Sequence, residues 1–280
     1  MRGVILYLTV ALTSVSLASQ WGSGTPCPGV NTDNSEYAAG ICSNGDLYVI
    51  DNALIKLHSY LGSYTWSDVR QDCPGIGHVW SAAINPSATE GYVGVSEFGD
   101  EWNIRAINSA DGINWELGDA LAGWNRYPNI PRSVSCAWSG SGKWLYVVYS
   151  DGVVWSAPQP YENPQGITFD FGSDGTIWYA DVRFSGDYIV IGYDETGTDI
   201  DLYEATGFGS TWGQPIKIDE VNSSADEVYP ILGVIGAESE NILLWATPPY
   251  PYNFDIYYST GDNVTRLEPT SFGNIKAFFR

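Results

Sequence analysis

The chain has 280 residues, and its hydrophobic fraction of 44% is enough for a core in one large domain or two ordinary ones. The 33 acidic residues outnumber the 12 Lys and Arg residues, for a formal net charge of −21. This charge argues against nucleic acid as a partner, because phosphate contacts need clustered basic side chains. Two histidines are too few for a His-rich metal site, so the sequence predicts no metal and no cofactor.

The first element along the chain is an apolar run over residues 4–15, which follows Arg2. Small residues at Ser16 and Ala18 are typical of a signal-peptidase site, so residues 1–18 are predicted to be a signal peptide. The run is too short to cross a bilayer, and no later segment is long and apolar enough. We expect no membrane span and a secreted protein, extracellular or periplasmic, with an uncleaved anchor as the alternative.

The residue types after this run favour strands. The chain holds 12 Trp and 19 Tyr but one Met, and aromatic side chains suit half-buried pleated surfaces. Its 31 Gly and 15 Pro supply many turns. Five segments share one order: an aromatic-rich start, a strand of small residues, a polar turn and an aromatic-aliphatic strand. They begin, roughly 43 to 52 residues apart as propeller blades do, at Tyr37, Trp80, Arg132, Trp178 and Tyr229.

A third predicted strand follows each hairpin, over residues 55–60, 103–109, 153–158, 200–207 and 254–261. A fourth follows in most units and is clearest at 66–69, 212–221 and 272–279. One such sheet cannot bury both its faces, whereas sheets stacked around an axis can. We predict an all-β fold, a β-propeller of about five four-stranded blades over residues 37–280, after an N-terminal segment at 19–36. A β-sandwich with coincidental spacing is the alternative.

The motif Ser109-Ala110-Asp111-Gly112-Ile113-Asn114-Trp115 lies between the third and fourth strands of the second unit. It resembles a shortened Asp-box, the hairpin of sialidase-like propellers with BNR repeats. In that hairpin the Asp accepts backbone hydrogen bonds, the Gly supplies positive φ, and the Trp wedges between blades. The structural residues are therefore Ser109, Asp111, Gly112 and Trp115. Degenerate copies are Thr206–Trp212 and Ser259–Thr265.

The resemblance to the sialidase-like family implies ancestry of the repeat rather than the family's reaction. Sialidases grip the substrate carboxylate with three arginines and use a Tyr–Glu nucleophile pair and an Asp acid. This chain is poor in arginine, and Ile130-Pro131-Arg132 places similar residues to the family's N-terminal Arg-Ile-Pro signature in the wrong order. Five units instead of the family's six also depart from it. We expect a non-catalytic member.

Four cysteines in an exported chain suggest disulfides. Cys27-Pro28-Gly29 and Cys73-Pro74-Gly75 hold equivalent places before the first two units, and we predict a Cys27–Cys73 disulfide. Cys42 and Cys136, in non-adjacent units, are then predicted to be buried thiols. The alternative pairing is Cys27–Cys42 with Cys73–Cys136.

Ligand groups should come from the loops and strand starts that converge on one opening of the central channel, which we call the mouth. Aromatic faces beside acid and amide groups suit a sugar, whose C–H face stacks while its hydroxyls form hydrogen bonds. The candidate ligand-binding residues are Glu36, Tyr37, His78, Trp80, Tyr127, Arg132, Trp178, Asp226, Glu227 and Tyr229. The same loops contain Asn34, Arg126, Asn129 and Asp174.

No complete catalytic set is present. Glycoside hydrolysis usually needs two carboxyls, and candidates for such a pair are Glu36, Asp174, Asp181, Asp226 and Glu227. We predict a protein that binds carbohydrate or another cell-envelope polymer through its mouth, without catalysis. The alternatives are an exo-acting, sialidase-like glycoside hydrolase and an assembly module that binds an extracellular protein.

Overall fold

The computed structural model describes residues 21–97, 101–138, 142–236, 240–248 and 254–261. The predicted signal peptide and the predicted strand at 272–279 lie outside these residues, as do the last residues of the third Asp-box copy. The described residues form five antiparallel sheets and include no helix, so no described helix could cross a membrane.

Each sheet is one blade, numbered along the chain. Blade 1 contains β2 (Glu36–Ile41), β3 (Leu47–Asp51), β4 (Leu54–Gly62) and β5 (Thr65–Asp72). Blade 2 contains β6 (Val79–Ile84), β7 (Glu90–Glu97), β8 (Glu101–Ser109) and β9 (Trp115–Ala120). Blade 3 contains β10 (Pro131–Ala137), β11 (Trp144–Tyr149), β12 (Val154–Pro158) and β13 (Gln165–Ile167). Blade 4 contains β14 (Thr176–Val182), β15 (Tyr188–Asp194), β16 (Asp201–Phe208), β17 (Thr211–Trp212) and β18 (Ile216–Lys217). Blade 5 contains β19 (Val228–Ile235), β20 (Glu240–Thr247), β21 (Asp255–Gly261) and, from the start of the chain, β1 (Thr25–Pro26).

The blades form a closed ring. The innermost strands β2, β6, β10, β14 and β19 contact one another in that order, and β19 contacts β2 again. The hydrophobic clusters lie between neighbouring blades: Ile50 of blade 1, for example, packs in one cluster with Val79 and Val93 of blade 2. The predicted five-bladed propeller is confirmed, and the β-sandwich alternative is wrong.

The ring closes through the N-terminal segment. Thr25 pairs with Tyr258 and Pro26 with Tyr257, so β1 becomes the outermost strand of blade 5. Trp21 is buried, forms a β-bridge with Gly261, and donates its indole N–H to Glu204 at 3.2 Å. Part of the segment predicted to precede the propeller therefore belongs to its last blade.

The hairpin between β8 and β9 fixes the interface of blades 1 and 2. Asp111 Oδ1 accepts the backbone N–H groups of Ile113 at 2.9 Å and Asn114 at 2.8 Å, and these bonds lower the pKa of its carboxyl. Gly112 has a φ of 75°, which favours glycine. Trp115 donates Nε1–H to the Gly112 carbonyl and is buried edge-on against Tyr48 of blade 1.

The degenerate copy in blade 4 repeats this geometry. Gly209 has a φ of 63°, and its carbonyl accepts Nε1–H of Trp212 at 3.1 Å, the same distance as in blade 2. Trp212 meets Tyr146 of blade 3 edge-on. The repeat therefore places an indole between blades in two separate units.

The predicted Cys27–Cys73 disulfide is wrong, and so is the alternative pairing, because all four cysteines are free and buried. Cys27 lies in the hydrophobic cluster between blades 5 and 1, whereas Cys73 lies in the cluster between blades 1 and 2. The sheet of blade 1 separates the two thiols. Burial raises the pKa of Cys27 above its usual value and that of Cys73 to about 12, so both stay protonated thiols.

The two Cys-Pro-Gly stretches instead form the same backbone hydrogen bond in successive blades. The carbonyl of Pro28 accepts the backbone N–H of Trp66, and that of Pro74 accepts the backbone N–H of Trp115. Because the two stretches are equivalent, each cysteine precedes its own blade, and the two cysteines lie in successive interfaces between blades. Cys42 and Cys136 are buried free thiols as predicted.

Candidate functional site

All five innermost strands carry a β-bulge, and in blades 2–5 it lies close to the first residue. In blade 2, Val79 faces Val95 and Ser81 faces Gly94, which leaves Trp80 as the extra residue. The same comparison makes Arg132 the extra residue in blade 3 and Trp178 in blade 4, and it places Tyr229 within the bulge of blade 5. Bulges bend a strand and redirect a side chain, and they are frequent beside functional sites. Blade 1 differs, since its bulge lies further along the strand at Ala39.

Tyr229 is held in an unfavourable backbone conformation. Its φ of 51° lies in the left-handed region, where a bulky aromatic residue is rare. Its ring stacks on Tyr37 of blade 1 at 4.1 Å between centroids and packs on Tyr179 of blade 4 at 4.3 Å. Contacts among three blades thus hold one strained residue in place. Strained residues of this kind are frequent at ligand sites.

Arg132 and Trp178 join blades 3 and 4 at the same opening. The guanidinium of Arg132 lies 3.5 Å above the centroid of the Trp178 ring. Burial lowers the pKa of Arg132, but arginine stays charged at neutral pH. Arg132 Nη1 and Trp178 Nε1 are buried and have no hydrogen-bond partner among the described residues. Both groups are donors that the described residues leave unsatisfied.

A pocket of about 230 Å³ lies over these residues. Trp80 and Trp102 meet edge-on in it at 5.5 Å, and Trp80 remains 48% exposed. Aromatic faces surround one cation at an open rim, which suits a ligand with both an apolar face and hydrogen-bonding groups. The lining residues come from blades 2, 3 and 5 and the loop before β10, and they are Trp80, Trp102, Ile130, Pro131, Arg132 and Tyr229.

The structure thus brings together five predicted residues: Trp80, Arg132 and Tyr229 in the pocket, Tyr37 against Tyr229, and Trp178 beneath Arg132. The other five predicted residues lie outside this pocket. His78 and Tyr127 are exposed on neighbouring loops, Tyr127 by 70%. The acidic residues Glu36, Asp226 and Glu227 are engaged elsewhere.

Two of these carboxylates close equivalent turns before blades 1 and 5. Glu36 accepts hydrogen bonds from the backbone N–H and the hydroxyl of Thr32. Glu227 accepts the backbone N–H of Ser223 at 3.1 Å and its hydroxyl at 2.6 Å. Burial raises the pKa of Glu36 and raises that of Glu227 to about 7. Asp226 accepts the backbone N–H of Ile200 at 2.9 Å.

Asp181 lies at the other end of the channel, which we call the far end. There the last residues of the innermost strands line a cavity of about 210 Å³, mainly with Ala, Gly, Ile, Leu and Val. Asp181 is buried and accepts the backbone N–H of Leu232 at 2.6 Å, which joins blade 4 to blade 5. Burial raises the pKa of its carboxyl to about 7. It therefore does not share the mouth with Glu36 or Glu227.

Sequence reasoning missed Trp102, Ile130, Pro131 and Tyr179. Trp102 was the most accessible to prediction. It pairs with Ser96, next to Val95, which faces Val79 on the innermost strand, so it lies at the same end of blade 2 as Trp80. The ranges described above contain no cluster of three or more His, Cys, Asp and Glu side chains suited to a metal ion.

No protein-family model matches the chain, and no curated protein matches it in sequence. Solved structures do match in fold. A thermostable family-43 glycoside hydrolase is 13% identical, with a TM-score of 0.55 over 85% of this chain and 91% of the other. The exo-β-1,3-galactanase of Phanerochaete chrysosporium, solved with galactose, is 11% identical, with a TM-score of 0.55 over 87% of this chain and 64% of the other. The α-L-arabinofuranosidase of Lactobacillus brevis is 9% identical, with a TM-score of 0.53 over 81% and 90%.

At these identities the likeness shows the fold alone. The chain is a five-bladed β-propeller, and proteins of similar structure include glycoside hydrolases. The comparisons support a propeller family and give no support to sialidase-like propellers in particular.

Proposed function

We propose that this protein binds carbohydrate through the mouth of its propeller, without catalysis. The observation that carries the proposal is that bulges in four innermost strands direct Trp80, Arg132, Trp178 and Tyr229 toward one opening. Indole and phenol faces pack on the C–H face of a sugar ring, while the half-buried guanidinium of Arg132 can donate to its hydroxyl oxygens. The similar structures named above are enzymes of carbohydrate chemistry, which is consistent with this ligand class.

The absence of catalysis is proposed from the acidic residues. A glycosidase needs two carboxyls on either side of the scissile bond. Of the carboxylates near the described strand starts, Glu36 is used in a turn by Thr32 and Glu227 by Ser223, and Asp226 accepts a backbone N–H. Exposed Asp174 is then a single candidate carboxyl among these rather than one of a pair. Asp181 lies at the far end.

A glycoside hydrolase is the second candidate, and one observation favours it. Glu227 Oε2 has no partner among the described residues, and a carboxyl with a pKa near 7 is suited to act as a general acid. Against it, Glu227 is 1% exposed, so a substrate would not reach the carboxyl without a rearrangement. Turnover of a fluorogenic glycoside panel that is lost in Glu227→Gln would establish the hydrolase and refute the binding-only proposal.

Export, signal cleavage after Ala18 and descent from sialidase-like repeats are further parts of the proposal. The apolar run at 4–15 supports export, and the hairpins that end in Trp115 and Trp212 support the ancestry. N-terminal sequencing of the mature protein tests the cleavage. The other alternative is an assembly module, which would bind an extracellular protein through the outer edges of the blades.

The direct test is a glycan array followed by titration of each hit. We expect Trp80→Ala to abolish or strongly weaken binding while the thermal midpoint stays unchanged, because Trp80 is half exposed. The matched control is Phe184→Ala, which removes an aromatic residue of similar exposure, 42%, at the far end. Equal binding by wild type and Trp80→Ala would contradict the proposal.

A further inference from the structure

A second aromatic groove lies between blades 3 and 4, with a volume of about 450 Å³. It opens on the same face as the mouth, because Asp174 and Gly175 line it immediately before β14 begins. Every lining residue belongs to the described ranges. The side chains that matter for ligand chemistry are Trp155, Thr168, Phe169, Phe171, Ser173 and Asp174.

The groove and the mouth share the start of β14. Ile177 lines the groove, and the next residue, Trp178, lies beneath Arg132 in the mouth. Successive residues of a strand are about 3.3 Å apart. The two openings are therefore neighbours at the start of β14, and a ligand that occupied both would have to be longer than one sugar ring.

The groove is preorganised by aromatic packing. Phe171 stacks on Tyr193 at 3.8 Å with the rings almost parallel, and the Tyr193 hydroxyl donates to the Ser173 carbonyl at 2.8 Å. A Cβ at Gly175 would lie 2.5 Å from the Tyr193 hydroxyl, so only glycine permits this approach. The loop before β14 is thus fixed against a stacked aromatic pair.

Its chemistry matches that of the mouth. The guanidinium of Arg126 lies 3.2 Å over Trp155, whose Nε1 is buried with no partner among the described residues. Thr168, Ser173 and Asp174 are exposed at the rim and can exchange hydrogen bonds with sugar hydroxyls.

The charge around the groove selects the ligand further. Asp170 and Asp174 are exposed beside it, and the whole chain carries a net charge of −21. Both repel a polyanion. An uncharged glycan is attracted by the aromatic surface without this penalty.

We propose that the groove is a second sugar subsite, continuous with the mouth, and that the ligand is an uncharged polysaccharide bound over several units. This inference rests on the proposed carbohydrate binding. It implies that the ligand is a sugar chain bound at several units rather than a single terminal sugar.

The experiment titrates the full chain by calorimetry with oligosaccharides of one to six units. The probes come from arabinan, β-1,3-galactan, cellulose and polygalacturonate. We expect affinity to rise about tenfold from the shortest binding oligomer to the longest neutral one, the gain expected from one additional subsite.

Thr168→Arg fills the groove, and Trp155→Phe reduces the aromatic surface that lines it while keeping an aromatic ring. Both should lower the affinity for long neutral chains about five- to tenfold and leave the shortest ligand unchanged. Gln165→Arg is the matched control, since Gln165 is exposed on the same strand as the groove's edge but does not line it. If Thr168→Arg fails to fold, Trp155→Phe carries the test.

Affinity independent of chain length, with both groove variants silent, would overturn the groove while leaving the mouth intact. Tightest binding of polygalacturonate would overturn the uncharged ligand. Failure of every probe, with Trp80→Ala indistinguishable from wild type, would overturn carbohydrate binding itself.

Discussion

The two ends of the channel are built from the same five strands and differ in almost every physical respect. At the mouth, the strand starts are bulged in four blades and carry large aromatic residues and an arginine. At the far end the strands of blades 2–5 run in regular register, whereas blade 1 carries its bulge there at Ala39. The residues at this end are mainly small and aliphatic, such as Gly40, Ala83 and Leu232. The mouth presents unpartnered donors, and the far end joins the blades. If the mouth binds a ligand as proposed, single strands divide recognition at one end from stability at the other.

The largest expected effect tests the stability role of the far end through pH. Burial raises the pKa of Asp181 from 3.8 to about 7, so the folded protein binds a proton that the unfolded chain has released between those values. The contribution of Asp181 to stability is full below about pH 4 and is lost as pH rises to about 7. It amounts to roughly 2–4 kcal/mol.

Asp181→Asn should remove this dependence while retaining an acceptor for Leu232. Urea unfolding of wild type and variant at pH 4 and pH 8 measures the difference, with exposed Asp119→Asn as control. A constant difference between wild type and Asp181→Asn across that range would show that the far-end carboxyl does not titrate as described.

The next effect concerns packing at the far end. A Cβ on Gly233 would lie 1.9 Å from Ile41 Cγ2, across the interface of blades 5 and 1. Gly233→Ala should lower the free energy of unfolding by roughly 1–3 kcal/mol. Glycan binding should persist at temperatures where the variant stays folded. Loss of binding in a fully folded Gly233→Ala would show that the two ends are not independent.

At the mouth the expected effect falls on ligand affinity rather than on stability. Replacing Tyr229 by glycine relieves the positive φ and removes the stacking on Tyr37 and Tyr179. We expect the unfolding free energy to change by less than about 1 kcal/mol, since strain relief offsets lost packing. Ligand affinity should fall about tenfold. Titration and urea unfolding on the same samples separate the two quantities, and a large loss of stability with unchanged affinity would reverse the assignment.

The smallest expected effect is none at all. Because all four cysteines are buried thiols, a reducing agent should not change the thermal midpoint, and even Cys136, which lines the far-end cavity, should react with a thiol reagent only after unfolding. A lower thermal midpoint in the presence of the reducing agent would show that the protein contains a disulfide after all.

The propeller could be predicted from the sequence because large aromatic residues mark each repeat unit. The repeat units begin at equivalent aromatic residues, Tyr37, Trp80, Trp178 and Tyr229. Equivalent residues of sheets that are stacked around an axis all lie near that axis at the same level. Ring closure could not be predicted in the same way. The closing strand is two residues long and includes Pro26, which carries no strand signal.

The site was predicted in part for the same reason. Aromatic strand starts were recognised, but side chains were assigned to the mouth by position in the chain. Glu36 and Glu227 each follow a hydroxyl residue four positions earlier, Thr32 and Ser223, and that spacing indicates a closed turn rather than a free carboxylate. The prediction of a Cys27–Cys73 disulfide failed because equivalent residues of successive units lie in successive interfaces between blades and so stay apart.

The pairing of Thr25 with Tyr258 sets the order in which the molecule can be completed. During synthesis, the first strand must wait without a partner until the last sheet has emerged, since residues more than two hundred positions apart form the clasp. From its emergence until β1 pairs with it, β21 presents an open edge, and such edges recruit other chains. Crowded or hurried production of this protein should therefore yield exchanged dimers joined through β1 before it yields any other misassembled species.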